Sequence, residues 1–439
     1  MARVREKCKK LPQSCVAAAI GAGHDAGLCH KAREKLPRED SAMNDATVME
    51  RAAFRFDPYS PAIDADPFPA YKTLRDEYPC FWSEEAGMWV LSRYQDVLNA
   101  LQDWRTYSSA KGNLVNEFPG RAGATLGSSD PPRHDRLRAL IQSAVTKRAL
   151  EHIIEPTRAS CRKHLAALEG RPVFDLVNDY TGKVTVDLLF HLFALPAEGA
   201  DQVRDNAVLM VQTDPVTRQK TEAHLAAFRW MADYAERLVQ ARKKAPGDDL
   251  LSNFITAEID GEKLLDREVQ LTVTTLIMAG IESLSGFMAM FGLNLADYPE
   301  ARRALVADPA LIPDAIEESL RFNTSAQRFK RCLTRDVDLH GQTMKAGDFV
   351  ILAYGAANRD ERMFENPDVY DITRRAKRHL GFGGGVHACL GSMIGRLATQ
   401  IAYEELLARI PEFARAQAVL DWVPSSNFRS PKALPLTRG

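Results

Sequence analysis

The sequence lacks an excess of charge of either sign. Its 439 residues carry 57 basic and 58 acidic side chains, which leaves a formal net charge of -1 at pH 7. Because proteins that bind nucleic acid usually present a strongly basic surface, nucleic acid is not an expected partner. The sequence also has no run of about 18 consecutive apolar residues, so we expect no helix that spans a membrane.

Cysteines are few, and their spacing is not that of a metal site. The chain has seven cysteines, and no two of them form a Cys-x-x-Cys motif. An odd number without such spacing argues against a disulfide framework and favours reduced thiols. The expected location is therefore the cytoplasm.

No linker rich in proline, glycine or serine divides the chain, and no internal repeat is present. Length alone suggests about three domains, but without a linker we expect one large domain over residues 43–439. Residues 1–42 differ from the rest, because they begin with a basic stretch and hold three of the seven cysteines. Their apolar part is too weak for a secretory signal. We expect an N-terminal extension that is disordered or results from a wrongly assigned start, with a cleaved targeting peptide as the alternative.

The spacing of apolar residues predicts a mainly α-helical chain with a small β portion. A helix, a hairpin and a second helix are predicted over residues 67–110, and a long loop follows at 111–129. Helical spacing then dominates as far as residue 323, and its longest run covers residues 267–298. Strand patterns appear after it, at residues 336–339 and 349–352.

The most informative stretch is FGGGVHACLG, at residues 382–391. Its glycines permit positive φ and let a flat ligand lie close to the backbone. Helical spacing begins just after Cys389, so this cysteine is placed at a helix N-terminus, where free N–H groups and the helix dipole favour a thiolate. Such a thiolate is a good axial ligand for haem iron. Taken alone, a buried and inert cysteine flanked by turn glycines is the alternative.

This stretch resembles the haem-ligand signature of the cytochrome P450 family, Phe-x-x-Gly-x-x-x-Cys-x-Gly. Phe382, Gly385, Cys389 and Gly391 fall on its fixed positions. The resemblance covers about residues 57–437 and implies the cytochrome P450 fold, which is mainly helical with a small β portion. It also implies haem b (iron protoporphyrin IX) as the cofactor, with Cys389 as the iron ligand. Phe382 and Gly383 are then expected to contact the cofactor.

A second motif, AGIES at residues 279–283, interrupts an otherwise apolar helix. Glycine within a helix costs about 1 kcal/mol relative to alanine, and such local conflicts tend to mark functional sites. The motif resembles one in which an acid and an alcohol relay protons to dioxygen, which makes Glu282 and Ser283 the catalytic candidates. Ser283 stands where threonine is usual and lacks the β-methyl group that restricts χ1, so we expect looser coupling of electrons to product. A solvent-facing Glu–Ser pair is the alternative.

Glu318 and Arg321 lie three residues apart on one helical face. Taken alone, such a pair is usually exposed and contributes a few tenths of a kcal/mol. The resemblance implies instead a buried pair that fixes this helix to the loop before the cysteine.

Haem carries two propionates, on which cationic side chains should converge. Four residues align with the family's usual propionate contacts: His134, Arg138, Arg331 and His379. For His134 and Arg138, which share one helical face, a solvated basic surface is the alternative.

The electron source is expected to be a separate protein. Fingerprints for nicotinamide or flavin binding are missing, as is a ferredoxin-type set of cysteines. The resemblance therefore implies a ferredoxin and a ferredoxin reductase as partners. Six basic residues are candidates for the docking surface, although they could equally be a solvated face: Arg133, Arg136, Arg374, Arg375, Lys377 and Arg378.

By alignment with the family, the substrate pocket has a mixed, mainly apolar lining. We expect it to be formed by residues 111–126, Thr275, Met278, Ala279, residues 326–329 and the tail near Ser430. Such a lining suits a small or medium apolar molecule such as a terpenoid, an aromatic compound or a fatty acid. Lys111 or Arg328 could pair with a substrate carboxylate, or could face solvent.

The favoured interpretation is a haem-thiolate monooxygenase that uses dioxygen to hydroxylate or O-dealkylate its substrate. One alternative is a haem-thiolate enzyme that uses peroxide, against which the pair Glu282 and Ser283 argues. The other alternative is a non-catalytic haem protein that senses a ligand.

Overall fold

The computed structural model describes residues 54–144 and 151–439. The expected N-terminal extension at residues 1–42, with its three cysteines, lies outside the described residues. From Phe54 to Gly439 the chain forms one compact unit. The expectation of a single large domain that is mainly helical is therefore confirmed.

Helices make up about half of the described chain. A π-helical turn at Leu176–Thr181 leads directly into the helix that follows it. The α-helices run over Pro61–Ala65, Phe68–Glu77, Tyr94–Gln102, Arg133–Ala144, Ile154–Ala166, Gly182–Leu192, Ala200–Val211, Glu222–Lys244, Leu250–Thr256, Asp266–Asp297, Pro299–Ala307, Ile312–Phe322, Tyr354–Ala357 and Ser392–Arg409.

The observed helix boundaries lie close to the predicted ones where the apolar period is long. The second helix predicted within residues 67–110 is observed at Tyr94–Gln102, and the run predicted at 267–298 is observed at Asp266–Asp297. The sequence pattern gave no signal for Leu250–Thr256, because seven residues span too few turns to establish a helical period.

The β portion is small, and its largest sheet has five strands. Their order is Cys80–Ser83, Met88–Leu91, Phe349–Ala353, Arg328–Leu333 and Tyr107–Ser108. Three further sheets are formed by Phe413–Arg415 with Pro435–Arg438 and Val173–Asp175, by Glu258–Ile259 with Glu262–Lys263, and by Val337–Leu339 with Gln342–Met344. The register of the large sheet places Arg331 opposite Val350 on the neighbouring strand.

The helix Asp266–Asp297, called the long helix below, runs through the helical core. It packs against the helices Gly182–Leu192, Ala200–Val211 and Glu222–Lys244. By length and composition alone it could cross a membrane, but most of its apolar stretch is buried inside the protein. That burial is the behaviour of a core helix.

Residues 382–391, called the cysteine loop below, lie directly before the helix Ser392–Arg409. This helix packs against Ile154–Ala166 and Ile312–Phe322. Two helices thus support the element that follows the cysteine loop.

Candidate active site

The backbone of the cysteine loop folds back on itself. The N–H of Cys389 donates to the carbonyl oxygen of Phe382 at 2.9 Å. Gly383 and Gly385 have φ values of 67° and 61°, in the left-handed region. A Cβ on Gly385 would lie 2.0 Å from the carbonyl oxygen of Leu101. Glycine is therefore required at this position both for its backbone angle and for the close approach of the neighbouring helix.

Among the described cysteines, Cys389 alone has an exposed side chain, whereas Cys80, Cys161 and Cys332 are buried. The thiol of Cys389 lines an internal cavity of about 380 Å³. Its exposed surface therefore faces the interior of the molecule, where a ligand can reach it and bulk solvent contact is limited.

The protein surroundings disfavour the thiolate of Cys389. Burial raises the pKa of the thiol, and the N–H of Gly391 and the charges of Arg138 and Arg396 oppose this rise only in part. This outcome differs from the expectation based on the helix N-terminus, because desolvation outweighs the helix dipole. A coordinated metal ion deprotonates a thiol outright, so the site suits a thiol whose charge is stabilised by a metal.

Four side chains with basic nitrogen atoms converge beside the cavity, namely His134, Arg138, Arg331 and His387. The rings of His134 and His387 lie 4.5 Å apart, and the Nε2 atom of each is buried without a partner in the described chain. Burial, together with the charges of Arg331, His134 and Arg138, lowers the pKa of His387 to about 3. The two buried Nε2 atoms need hydrogen-bond partners, and the neighbouring positive charges of Arg138 and Arg331 favour an anion as that partner. Two propionate groups would supply it, so these residues fit haem.

The ring of His379 contacts other groups than those of this cluster. Its Nε2 lies 3.0 Å from Oε2 of Glu317, and its Nδ1 accepts a hydrogen bond from the N–H of Gly381 at 3.1 Å. Burial would raise the pKa of Glu317, but the hydrogen bonds of His379 and Arg396 lower it to about 2. Both ring nitrogens of His379 are therefore in use, and His387 occupies the position beside the cavity. The basic position two residues before the signature cysteine was the signal that could have identified His387.

Glu318 and Arg321 form a fully buried pair, as predicted. Nε and Nη2 of Arg321 donate to the two carboxylate oxygens at 2.8 and 2.7 Å. Nη1 of Arg321 also donates to the carbonyl oxygens of Asn358 and Pro367. The side-chain oxygen of Asn358 then accepts the N–H of Leu380 at 2.6 Å. Since Leu380 lies two residues before the cysteine loop, the ion pair fixes the start of that loop.

The structure does not bring Glu282 and Ser283 into contact. Ser283 lines the cavity that holds the thiol, and its Oγ donates to the carbonyl oxygen of Ala279. Glu282 lies instead against a second cavity of about 260 Å³, where Oγ of Ser430 donates to its Oε1 at 3.2 Å. Burial raises the pKa of Glu282 to about 7, opposed by Ser430 and Arg204. The carboxyl group can therefore exchange a proton near neutral pH.

Gly280 has a packing role in addition to its place beside the cavity. A Cβ at this position would lie 2.8 Å from Cδ1 of Leu189 on the helix Gly182–Leu192. The glycine therefore allows these two helices to approach each other closely, which offsets its low helix propensity.

The wall of the cavity is mainly apolar. Eight of the predicted lining residues are found there: Asn113, Leu114, Arg121, Thr275, Met278, Ala279, Ala326 and Phe329. They are joined by apolar side chains that the sequence did not point to, among them Leu188, Leu189, Leu192, Phe193, Leu276, Leu284, Phe287 and Phe428.

Three of the residues suggested for the pocket lie elsewhere. Ser430 lines the second cavity, Lys111 is exposed, and Arg328 is buried outside the wall of the main cavity. Away from the cluster beside the thiol, the cations that line the main cavity are Arg121 and Lys220. Both lie in irregular segments, where the apolar pattern carries no information on which way a side chain points.

In the part of the chain that the structure describes, one accessible thiol and a converging set of basic side chains face a mainly apolar cavity within a helical domain, which is the arrangement of a haem-thiolate protein. The family model described as Cytochrome P450 matches residues 64–410, and the chain belongs to this family. The protein is thus a cytochrome P450 monooxygenase, and the predicted haem b cofactor is confirmed.

Several characterised proteins are similar to this chain over most of its length. Nocardicin C N-oxygenase of Nocardia uniformis subsp. tsuyamanensis is 34% identical over 406 residues, which cover 89% of this chain and all of the relative. The crystal structure of P450BioI in complex with acyl carrier protein ligated to hexadec-9Z-enoic acid has a TM-score of 0.79 and 30% identity, with 86% of this chain and 99% of that chain covered. CYP109E1 from Bacillus megaterium in complex with testosterone has a TM-score of 0.76 and 26% identity, with coverage of 85% and 99%.

Proposed function

We propose that this cytochrome P450 uses dioxygen to hydroxylate or O-dealkylate a small or medium apolar molecule, such as a terpenoid, an aromatic compound or a fatty acid, in the cytoplasm. The observation that carries the proposal is the mainly apolar cavity onto which the thiol of Cys389 opens. The ligands in two similar structures, a hexadecenoic acyl chain and testosterone, are largely apolar and support this class of substrate.

Different residues around the cavity would bind different parts of the cofactor. Haem bound through a cysteine thiolate supplies the activation of dioxygen. Cys389 would hold the iron, and Phe382 and Gly383, which also line the cavity, would contact the haem. His134, Arg138, Arg331 and His387 would hold the propionates. A contact from His379 would require it to leave Glu317, so its proposed role is to support the cysteine loop.

Proton delivery is assigned to Glu282 and Ser283. The hydroxyl of Ser283 faces the main cavity, where it can hold a proton beside the substrate. Glu282 faces the second cavity and, with a pKa raised to about 7 by burial, can both take up and release a proton. Because the two side chains point to different cavities, transfer between them requires a rotation of the Glu282 side chain or a bridging water.

Electrons are proposed to come from a separate ferredoxin and its reductase. Within the candidate docking surface, Arg133 and Arg136 pair with Glu268, Arg374 with Glu318, and Arg375 with Asp314. The remaining two residues, Lys377 and Arg378, are exposed and form no ion pair within residues 54–144 and 151–439. They are the best placed to meet an acidic partner.

Reversing the charge of Lys377 and Arg378 together to glutamate tests this surface. Rim charges mainly set the rate of encounter, so the rate of first-electron transfer from a surrogate ferredoxin should fall several-fold at low salt and approach the wild-type rate at high salt. Lys244→Glu, at the exposed end of the helix Glu222–Lys244, is the control. Equal reduction rates for the double variant and the control would reject the surface.

The function is tested in two stages with purified holoenzyme. A panel of terpenoids, aromatic compounds, fatty acids and steroids is first screened for the shift of the Soret band that follows loss of water from the iron. The compounds that bind are then incubated with NADH, a surrogate ferredoxin and its reductase. We expect an oxygenated product that needs both dioxygen and NADH. Product with peroxide alone would favour a peroxide-dependent enzyme, and reduction without any product would favour a sensor.

A further inference from the structure

We propose that the substrate carries a carboxylate, which Lys220 and Arg121 bind at the wall of the main cavity. The proposal rests on the function proposed above, because it names the class of molecule that occupies the same cavity. Arg121 belongs to the loop at residues 111–129, and Lys220 belongs to the connection between the helices Ala200–Val211 and Glu222–Lys244. Both residues line the cavity.

Arg121 is buried and has donors without partners. It is 3% exposed, and its Nη1 donates to Oδ1 of Asn113 at 2.9 Å and to the two carboxylate oxygens of Glu117 at 2.8 and 2.9 Å. Its Nε is buried without a partner, and Nη2 forms no hydrogen bond within the described part of the chain. A guanidinium group has five N–H donors. Leaving buried donors unpaired is unfavourable, and a ligand that accepts from them would remove that cost.

The ammonium group of Lys220 is held in place by two backbone carbonyls. It donates to the carbonyl oxygens of Met210 and Gln212, each at 2.6 Å. It also lies 4.7 Å from the centre of the Phe118 ring. An ammonium group has three N–H donors, so one remains available. No carboxylate pairs with Lys220 among the residues that the structure describes.

The charges along this wall do not balance. Glu117 pairs with Arg121 and its charge also acts on Lys220, but it already accepts from the N–H of Asn113 at 3.0 Å. Lys330 is a third buried cation nearby. Burial lowers the pKa of Lys220 to about 7, Glu117 opposes this change, and Arg121 adds to it. A ligand carboxylate would restore the balance and keep Lys220 protonated.

A purely structural role for Lys220 is the competing explanation. Its two carbonyl partners belong to the end of the helix Ala200–Val211, where a cation is favourable because of the helix dipole. That role does not account for Arg121, which lines the same cavity and whose buried Nε has no partner within the described part of the chain. The two explanations differ in what they predict for ligand choice.

The rest of the cavity defines the body of the ligand. Apart from these polar groups its wall is mainly apolar, so the fitting class is a carboxylic acid with a hydrocarbon chain or ring system. Dodecanoic acid and methyl dodecanoate form a suitable pair of probes, because they have the same chain and only the acid carries a negative charge.

The test compares dissociation constants of the two probes, measured by the Soret shift of the holoenzyme. A hydrogen bond to a charged group stabilises the complex by enough to change a dissociation constant about tenfold or more. The wild type should therefore bind the acid at least about tenfold more tightly than the ester. Lys220→Met should lose most of this preference, whereas Lys220→Arg should keep it. Lys111→Met, which removes an exposed lysine from the loop that carries Arg121, should leave the preference unchanged.

The pH dependence gives a second readout of the same preference. The groups that face Lys220 are Glu117 and Arg121 from the loop and His224 from the following helix. Because burial lowers the pKa of Lys220 to about 7, its ammonium loses a proton as the pH rises through that value. The preference for the acid should therefore decline above neutral pH in the wild type and persist to higher pH in Lys220→Arg, since arginine stays protonated.

Two results would overturn the proposal. One is equal binding of the acid and the ester by the wild type, which requires no variant and so does not depend on how Lys220→Met folds. The other is an unchanged preference in Lys220→Met together with a lower melting temperature, which would assign Lys220 to the structural role. Both results leave turnover and the carbon monoxide spectrum intact, whereas failure of the proposed function would abolish turnover itself.

Discussion

The cysteine loop and the loop at residues 111–129 face the same cavity but are built differently. The cysteine loop is held by backbone hydrogen bonds, by glycines in the left-handed region and by the buried pair of Glu318 and Arg321. The loop at 111–129 is held by side chains such as Glu117, and it leaves donors of Arg121 unused. The cysteine loop would bind one cofactor in one fixed position, so its backbone is held by contacts within the protein. The loop at 111–129 would contact the substrate, so some of its polar groups are left without a partner in the described chain and are available to the ligand.

The largest expected effect comes from breaking the buried pair that supports the cysteine loop. Arg321→Ala leaves the charge of Glu318 buried without its main partner, which should lower the free energy of unfolding by about 3–5 kcal/mol. Denaturant unfolding and the ratio of haem to protein measure this effect. Lys72→Ala, in the exposed pair with Asp76, is the control and should change stability by only a few tenths of a kcal/mol. A normal unfolding midpoint for Arg321→Ala would remove the distinction between the two regions.

The next largest expected effect is the change in stability when Glu282 is replaced, and this change depends on pH. In the unfolded chain this carboxyl ionises near pH 4.5, but burial raises its pKa in the folded protein to about 7. The folded state thus binds more protons between these values, so the stability from this group is complete below pH 4.5 and is lost as the pH rises through 7. Glu282→Gln mimics the protonated form and should be more stable than the wild type by about 3 kcal/mol at pH 8, with little difference at pH 4.5.

Thermal unfolding at several pH values tests this linkage, and turnover tests the proposed role of the same residue. Glu282→Gln should keep the carbon monoxide spectrum but lose on the order of a hundredfold in turnover, the typical contribution of a positioned acid or base. A difference in stability between Glu282→Gln and the wild type that is the same at all pH values would contradict the raised pKa of the buried carboxyl. Normal turnover would contradict its role in proton delivery.

A comparison of His387 and His379 tests which of the two histidines contacts the haem. His387→Ala removes a ring beside the cavity and should speed the transfer of haem to an excess of apo-globin about tenfold or more, the effect of one hydrogen bond to a charged group. His379→Ala removes the partner of Glu317 and should affect haem transfer less, while it lowers the melting temperature. The reverse order would restore His379 as the propionate contact.

Ser283 gives the smallest expected effect. Ser283→Thr keeps the hydroxyl and adds the β-methyl group that restricts χ1. Restricting one side-chain torsion corresponds to about 0.5 kcal/mol, so the ratio of product formed to NADH consumed should rise by about twofold. Ser283→Ala, which removes the hydroxyl, should lower that ratio. Equal ratios in all three proteins would show that this hydroxyl does not govern coupling.

The sequence predicted the fold class and the cofactor, because each leaves a local pattern: a long helical period and a ten-residue signature. The burial of the pair of Glu318 and Arg321 followed from the family resemblance, since the charge spacing alone favours an exposed pair. It did not predict that Glu282 and Ser283 face different cavities, since the direction of each side chain depends on how the long helix is packed. It also did not point to Lys220, which lies in an irregular connection and reaches the cavity through tertiary folding alone.

The most direct test of the central claim is the absorption spectrum of the reduced protein with carbon monoxide. If the thiol of Cys389 holds the haem iron, the wild type shows the band that gives the family its name, and Cys389→Ser lacks it while still folding. Absence of the band from the wild type, or its persistence in Cys389→Ser, would contradict the assignment of this thiol as the iron ligand.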